Sequence, residues 1–184
     1  MDLELLQSEC AKCTLCELHK GRNKPVFSRG VHSDIMICGM CPGPDENKIG
    51  LPFVGMAGKL LDKLLIDAFG NTDIYITNLV KCFVQPGIKL DNVWMSSCLP
   101  YLIVQIRLIQ PKVIIALGKD VANFLLANEL QMKDMRGKVF DYFNSKLLVT
   151  YHPSYLVRGG GEKHKHFQTV VEDFKSIRGR KGST

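Results

Sequence analysis

The chain has 184 residues, of which 46% are hydrophobic and 23% charged, and it carries a formal net charge of +6. This length and composition predict one globular domain with a full core and exclude a low-complexity chain. No apolar run approaches the roughly 18 residues that span a bilayer. The acidic start MDLELLQSEC lacks the basic residues of a signal peptide, so we expect a cytoplasmic protein. Most of the basic excess, a net of +4, lies from Arg158 onward and is compatible with a nucleic-acid partner.

Cysteines form the first notable pattern, because CAKCTLC contains two overlapping CxxC pairs. An odd total of seven cysteines without a signal peptide argues against a disulfide framework. Cys13 and Cys16 form one pair, and Cys82 and Cys98 could supply two further thiolates to a metal or a metal–sulfur cluster. Spacing alone does not choose between zinc, the simpler interpretation, and an iron–sulfur cluster. Cys10 could also replace a member of the pair.

Four short apolar runs rich in β-branched residues are predicted to be buried strands, with amphipathic helical patterns between them. Cys38 lies in the first run and is interpreted as a small buried residue. Pro100 could begin or kink the second helix. The alternation predicts an α/β fold, a three-layer α/β/α sandwich with a central, mostly parallel four-stranded sheet. The predicted strands are 33–39, 72–80, 111–118 and 145–151, and the predicted helices are 57–70, 92–110, 119–130 and 163–177.

Three unusual segments follow or close predicted strands: GMCPGPDENKIGLPFVG (39–55), TNLVKC (77–82) and YHPS (151–154). In such folds ligands bind at the carboxyl ends of the strands. A loop with so many glycines and prolines is costly in backbone entropy and usually holds a ligand. The sequence therefore predicts a binding site at this edge of the sheet. We assign residues 1–177 to the single domain and 178–184 to a basic C-terminal tail.

Taken in order, these motifs resemble the uracil-DNA glycosylase superfamily, and within it the iron–sulfur branch called family 4. The resemblance implies a 4Fe–4S cluster held by Cys13, Cys16, Cys82 and Cys98, which leaves Cys10 spare. The cluster is expected to brace loops near DNA. The implied partner is DNA containing uracil or another deaminated base, without a membrane, and we expect a monomer. The matching segments are CTLCELHKGR (13–22), GMCPGPDENKIGLPFVGMAGKLL (39–61), TNLVKC (77–82), Cys98, PKVIIALG (111–118) and TYHPSYLVR (150–158).

The resemblance also implies a base pocket, since glycosylases flip the target nucleotide out of the stack. Phe53 matches the family's stacking phenylalanine. Asn78 matches the asparagine that accepts from uracil N3–H and donates to O4, which cytosine would mismatch. His152 matches the catalytic histidine that donates to O2 and stabilises the departing base.

The first motif departs from family 4, where it usually reads Gly-Glu-Ala-Pro-Gly. Here the base-binding positions are Gly39, Met40 and Cys41, so the usual glutamate is absent. The pattern is closer to the single-strand-selective branch, whose third position is asparagine. Glu46 aligns with a carboxylate of the following acidic pair and is the second catalytic candidate, as a holder of water; a backbone carbonyl is the alternative.

Residues of the last motif match the family's DNA-contacting loop. Ser154 is predicted to hold a phosphate, Arg158 to grip another, and Tyr155 or Leu156 to wedge into the duplex. The histidines of KHKHF (163–167) are expected to be solvated or to face phosphates. Further cations expected to meet phosphates are Lys163, Lys165, Arg178, Arg180 and Lys181.

The favoured function is a monofunctional uracil-DNA glycosylase that starts base-excision repair and works slowly without the usual glutamate. One alternative is a glycosylase-like module that binds DNA or uracil with weak or no catalysis. Another is a four-cysteine zinc or redox protein unrelated to DNA.

Overall fold

A six-stranded mixed sheet lies at the centre of residues 2–178, the part of the chain that the computed structural model describes. The strands in chain order are β1 (Ser28–Arg29), β2 (Ile35–Gly39), β3 (Tyr75–Asn78), β4 (Val113–Leu117), β5 (Val139–Tyr142) and β6 (Ser145–Thr150). Across the sheet their order is β1-β3-β2-β4-β6-β5. The four predicted strands are confirmed as the parallel centre β3-β2-β4-β6, and short antiparallel strands add one edge on each side.

Helices cover both faces of the sheet, which confirms the three-layer sandwich. The α-helices are α1 (Leu3–Ala11), α2 (Pro44–Ile49), α3 (Met56–Phe69), α4 (Asn92–Ile109), α5 (Lys119–Leu126), α6 (Met132–Met135), α7 (Pro153–Arg158) and α8 (Phe167–Lys175), with 3₁₀ turns at Glu17–Lys20 and Gly161–Lys163. Apolar side chains of α4 and α5 form the core on one face, whereas those of α3, α7 and α8 form the core on the other.

The helix boundaries follow local signals. The Asp91 carboxylate accepts the Trp94 N–H at 2.9 Å and caps α4, which continues without a break through Pro100. Helix α5 ends earlier than predicted, because Ala127 takes a left-handed conformation at its C-cap. The predicted helix 163–177 is divided, with a 3₁₀ turn at its start and α8 beginning only at Phe167.

The side chains of β2 alternate between the two faces of the sheet. Met36 and Cys38 point into the core under α4, and Cys38 is fully buried as predicted. Ile37 points into the core under α3. Gly39 ends the strand on the α3 side, and the parallel register pairs it with Asn78 at the end of β3. Two of the three unusual segments therefore meet at one point.

Among residues 2–178, no helix is long and apolar enough to cross a membrane.

Candidate functional site

The carboxyl ends of β2 and β3 bring Gly39, Phe53 and Asn78 together. A methyl group built on Gly39 would lie 2.6 Å from Phe53 Cζ and also inside contact distance of Asn78 Oδ1, so a larger residue here would displace both side chains. Asn78 is 2% exposed, and its Oδ1 is one of two buried side-chain acceptors in residues 2–178 without a hydrogen-bond partner. A buried acceptor without a partner is costly, which indicates that a ligand donor completes it.

Glu46 braces the loop that carries Phe53. Its Oε1 accepts the main-chain N–H groups of Val54 (2.8 Å) and Gly55 (2.9 Å), and its Oε2 accepts that of Gly43 (3.1 Å). Phe53 itself takes φ 54°, which is uncommon for a bulky residue and needs such support. The carboxylate therefore ties the start of α2 to the loop before α3. Oε2 keeps one lone pair that could accept a hydrogen bond from water. That Glu46 orients the attacking water remains a prediction.

His152 caps helix α7 beside this loop, with its ring centroid 5.7 Å from that of Phe53. Its Nδ1 accepts the Ser154 N–H at 3.1 Å and lies 2.8 Å from the Ser154 hydroxyl. An accepting Nδ1 carries no proton, so the neutral ring carries its proton on Nε2. Burial lowers the pKa of His152 to about 4, with the Arg158 charge acting in the same direction and the Glu46 carboxylate against it. The side chain is thus a neutral hydrogen-bond donor near pH 7.

Met40 and Cys41 pack, half-buried, against the core on the α4 side of the sheet. The Met40 carbonyl accepts the Val80 N–H at 2.9 Å, which holds the first motif to the segment after β3. Burial raises the pKa of the Cys41 thiol to about 11, with the Glu46 carboxylate acting in the same direction. Cys41 is therefore a neutral thiol. Contact of Met40 and Cys41 with a base remains a prediction.

The α7 residues separate into surface and core. Tyr155 is 37% exposed, Arg158 is exposed, and Ser154 is half-buried beside His152. Leu156 is 0% exposed in the core beneath α3 and α8, so the structure corrects its prediction as a DNA contact. Tyr155 is then the remaining candidate wedge.

An aromatic–histidine cluster next to α7 was not predicted. The rings of Tyr151 and His166 stack at 4.8 Å, and His164 meets Tyr155 edge-on at 4.7 Å. The His164 ring also lies so close to Gly159 that a methyl group there would clash with it. These histidines are packed on tyrosines rather than simply solvated. In the sequence, the tyrosine at each end of YHPSY (151–155) is the one pattern that could have predicted this cluster, and it is weak by itself.

Lysines from two elements line a groove next to the pocket, between α3 and the glycine-rich turn after α7. They are Lys59, Lys63 and Lys163, of which only the last was predicted. Arg178 lies elsewhere: its guanidinium donates to the Phe69 carbonyl at 2.6 Å, at the far end of α3 from the pocket. Arg180 and Lys181 lie outside the described residues.

The four predicted cysteine ligands, Cys13, Cys16, Cys82 and Cys98, line one cavity, together with Cys10. Two of them accept hydrogen bonds that suit thiolates: Arg22 Nη1 donates to Cys82 Sγ at 2.8 Å, and the Lys81 N–H donates to Cys98 Sγ at 3.2 Å. No three His, Cys, Asp or Glu side chains of residues 2–178 lie close enough to hold a single metal ion. Four cysteine thiols around one space are the donor set that a thiolate-bound zinc ion or iron–sulfur cluster would use.

Comparisons with known proteins agree with this geometry. Residues 27–175 match the family model of the uracil DNA glycosylase superfamily. The type-4 uracil-DNA glycosylase of Thermotoga maritima is 33% identical over 180 residues, with 96% of this chain and 93% of the relative covered. That of Saccharolobus solfataricus is 38% identical over 189 residues, covering 96% and 85%. That of Pyrobaculum aerophilum is 36% identical over 168 residues, covering 86% of each. The chain therefore belongs to the uracil-DNA glycosylase superfamily, alongside type-4 members.

Proposed function

We propose that this protein is a monofunctional uracil-DNA glycosylase, which flips a deaminated base out of DNA and hydrolyses its N-glycosidic bond as the first step of base-excision repair. The observation that carries the proposal is the unpartnered Oδ1 of Asn78 between Gly39 and Phe53. Membership of the family supports it further.

Asn78 supplies base selection. Its carboxamide accepts the N3–H of uracil through Oδ1 and donates to O4 through Nδ2. Cytosine presents an acceptor and a donor at the same positions, so it would leave buried polar groups unpaired, which is a strong basis for rejection. The Phe53 ring offers stacking worth about 1–3 kcal/mol. Because Phe53 is only 6% exposed, an entering base must first separate it slightly from His152.

His152 stabilises the leaving group. As the bond between sugar C1′ and uracil N1 breaks, its electron pair leaves with the base, and negative charge spreads from N1 to O2. A neutral Nε2–H donor placed at O2 stabilises that charge without transferring its proton. The oxocarbenium-like sugar is then captured by water, which loses a proton. Oε2 of Glu46, with its free lone pair, is our candidate to orient this water.

A second candidate function is a binding module that recognises uracil or DNA and cleaves slowly or not at all. The side chains of Met40 and Cys41 favour it, since a thioether and a neutral thiol replace groups that could hold water. General-base assistance is worth about 10²–10⁴ in rate, so its loss alone slows the reaction without abolishing base departure.

The test is single-turnover cleavage of a uracil-containing oligonucleotide, with abasic sites revealed by alkali. We expect measurable cleavage by wild type and a loss of at least about tenfold in Asn78→Ala, from one lost base-reading group. Asn144→Ala is the matched control, because Asn144 lies in the turn before β6, at the opposite end of the sheet. Tight uracil-dependent binding with no cleavage would establish the binding module instead.

For the cysteine cavity we propose a 4Fe–4S cluster held by Cys13, Cys16, Cys82 and Cys98. The argument is chemical: the four thiols at the family's ligand positions face one space, and the Arg22 guanidinium places positive charge against Cys82, which suits a negatively charged cluster. When bound, the cluster would brace the N-terminal segment against β3 and α4. Cys10 packs with Leu6 and Phe27 in a separate small core, which supports its role as a spare cysteine.

Anaerobic purification followed by iron and acid-labile sulfide analysis tests the cluster. We expect both elements in wild type and in Cys10→Ser, and neither in Cys98→Ser. Stoichiometric zinc without sulfide would support the runner-up cofactor. The cytoplasmic location remains part of the proposal, because thiolate ligands persist in a reducing compartment. A monomeric state remains a prediction.

A further inference from the structure

Lys81 is the largest fully buried side chain of the described residues, at 1% exposure. Its ammonium donates to Thr77 Oγ1 (2.7 Å), to Gln105 Oε1 (2.6 Å) and to the main-chain carbonyl of Asn78 (2.5 Å). All three acceptors are neutral, and no carboxylate of residues 2–178 forms an ion pair with it. Burying a charge without an ionic partner is expensive, which raises the question of what this lysine does.

Lys81 lies between the end of β3 and the cysteine cavity. Its side chain folds back along the chain and holds the peptide that follows Asn78, at the end of β3. Its own N–H donates to Cys98 Sγ, and the next residue is the ligand candidate Cys82. Lys81 is therefore the residue that touches both the main chain of the base-reading asparagine and the cysteine cavity.

The sheet separates these two sites. The Asn78 side chain lies on the face of Phe53, whereas Thr77 points to the opposite face, where it donates to the Phe27 carbonyl at 2.7 Å. On the same face as Thr77, Gln105 of α4 accepts from Lys81 and donates to the Tyr75 hydroxyl at 2.9 Å. The polar side chains on this face of β3 therefore have hydrogen-bond partners. Across the strand, Asn78 Oδ1 is one of the two buried side-chain atoms of residues 2–178 that lack a hydrogen-bond partner.

We propose that Lys81 is a positioning residue for base recognition: its side-chain nitrogen fixes the 78–79 peptide, and with it the position of the Asn78 side chain, from the face of the sheet that carries the cysteines. This inference rests on the proposed function of Asn78. Recognition of uracil needs the Asn78 carboxamide at a fixed distance from the base, and the main chain that Lys81 holds sets the position of the Cα–Cβ bond from which the carboxamide projects. The same residue thus touches the cysteine cavity through its main chain and the peptide of the base-reading asparagine through its side chain.

Competition by free bases tests the proposal, with cleavage of a uracil oligonucleotide as the reporter. In Lys81→Met, which keeps the length and burial of the side chain, we expect uracil to inhibit about tenfold more weakly, as for the loss of one buried hydrogen bond. Affinity for uracil-free DNA, measured by fluorescence anisotropy, should stay within about twofold, because Lys81 is fully buried and reaches no phosphate. Lys81→Arg should recover part of the uracil inhibition.

Gln105→Met is the matched control. It removes another member of the buried network and lowers the melting temperature, yet it leaves the bond from Lys81 to the Asn78 carbonyl intact. We expect its uracil inhibition to equal that of wild type. If both variants lose inhibition in proportion to their melting temperatures, Lys81 is merely structural and the proposal is overturned. Iron content is measured for each variant, so that any cluster loss is recorded separately.

Two further outcomes distinguish failure of the Lys81 proposal from failure of the proposed function. Unchanged uracil inhibition in Lys81→Met overturns the inference while leaving the proposed function intact. A wild type that neither cleaves uracil DNA nor responds to uracil overturns the proposed function itself. If Lys81→Met does not fold, Lys81→Gln replaces it, since glutamine is too short to reach the Asn78 carbonyl but keeps a polar group in the network. The same weakening of inhibition is then expected.

Discussion

The protonation state of His152 sets the pH range in which it can serve as a neutral donor. Because burial lowers its pKa to about 4, we expect the single-turnover rate to show no inflection near about 6.5, the ordinary value for histidine. His152→Ala should lower that rate by about 10²–10³, the usual cost of a lost donor to a developing anion. Rates measured between pH 8 and pH 5 provide the check. An inflection near the ordinary value that disappears in His152→Gln would contradict the assignment.

The same shift makes stability depend on pH. The unfolded chain takes up a proton on this histidine near its ordinary pKa, whereas the folded chain takes it up only near about 4. Between these values the unfolded state binds more protons, so the free energy of unfolding falls as the pH is lowered through this window. Urea denaturation at pH 7 and pH 5 should show a larger fall for wild type than for His152→Gln.

The role of Glu46 can be tested by replacing its carboxylate with an amide of nearly the same shape. In Glu46→Gln one oxygen becomes an amide that faces backbone N–H donors, so at least one of three hydrogen bonds is lost, at about 1–3 kcal/mol. We expect a lower melting temperature together with weaker binding of uracil DNA, because Phe53 loses its support. Asp45→Asn, on the exposed neighbour, should change neither property. Loss of rate with unchanged stability would instead assign Glu46 to the water alone.

At the scale of elements, Gly58 allows helix α3 to pack directly against the main chain of the loop that precedes it. Glycine inside a helix usually costs about 1 kcal/mol relative to alanine, so Gly58→Ala would ordinarily stabilise the protein. Here a methyl group would lie closer than 3.0 Å to the Phe53 carbonyl carbon and oxygen, both of them main-chain atoms that cannot turn aside. We expect a melting temperature lower by about 2–10 °C and weaker base stacking. Met56→Ala, at an exposed position of the same turn, is the control.

The parallel centre of the sheet could be predicted because each of its strands is a nearly continuous apolar run bounded by turn residues. Strand β1 has two residues and β5 is half-exposed, so neither carries such a pattern. The motif residues Phe53, Asn78 and His152 could be predicted to lie near one another because their strands end at the same edge. The burial of Leu156 and the bonds of Lys81 could not, since both depend on which side of α7 or β3 meets the core.

At the scale of the whole molecule, the positive charge that matters for DNA is expected beside the pocket rather than at the C-terminal end. Lys59 and Lys163 line the groove between the first turns of α3 and the turn after α7, together with Glu162, whereas Arg178 is bound to the Phe69 carbonyl at the other end of α3. A helix of 14 residues separates these two points by about 20 Å. Phosphates that flank a flipped nucleotide would therefore meet the groove and not Arg178.

Salt dependence of DNA binding measures this distribution directly. Each neutralised phosphate contributes about −0.9 to the slope of log affinity against log salt concentration on duplex DNA. The double variant Lys59→Gln and Lys163→Gln should make the slope shallower by about 1–2, since it removes up to two such contacts. Arg178→Gln should leave the slope unchanged and lower only the melting temperature, because it loses its bond to the end of α3. Anisotropy titrations of uracil-free duplex across a range of salt concentrations give both slopes. A slope that flattens in Arg178→Gln and not in the double variant would move the DNA path to the opposite end of α3.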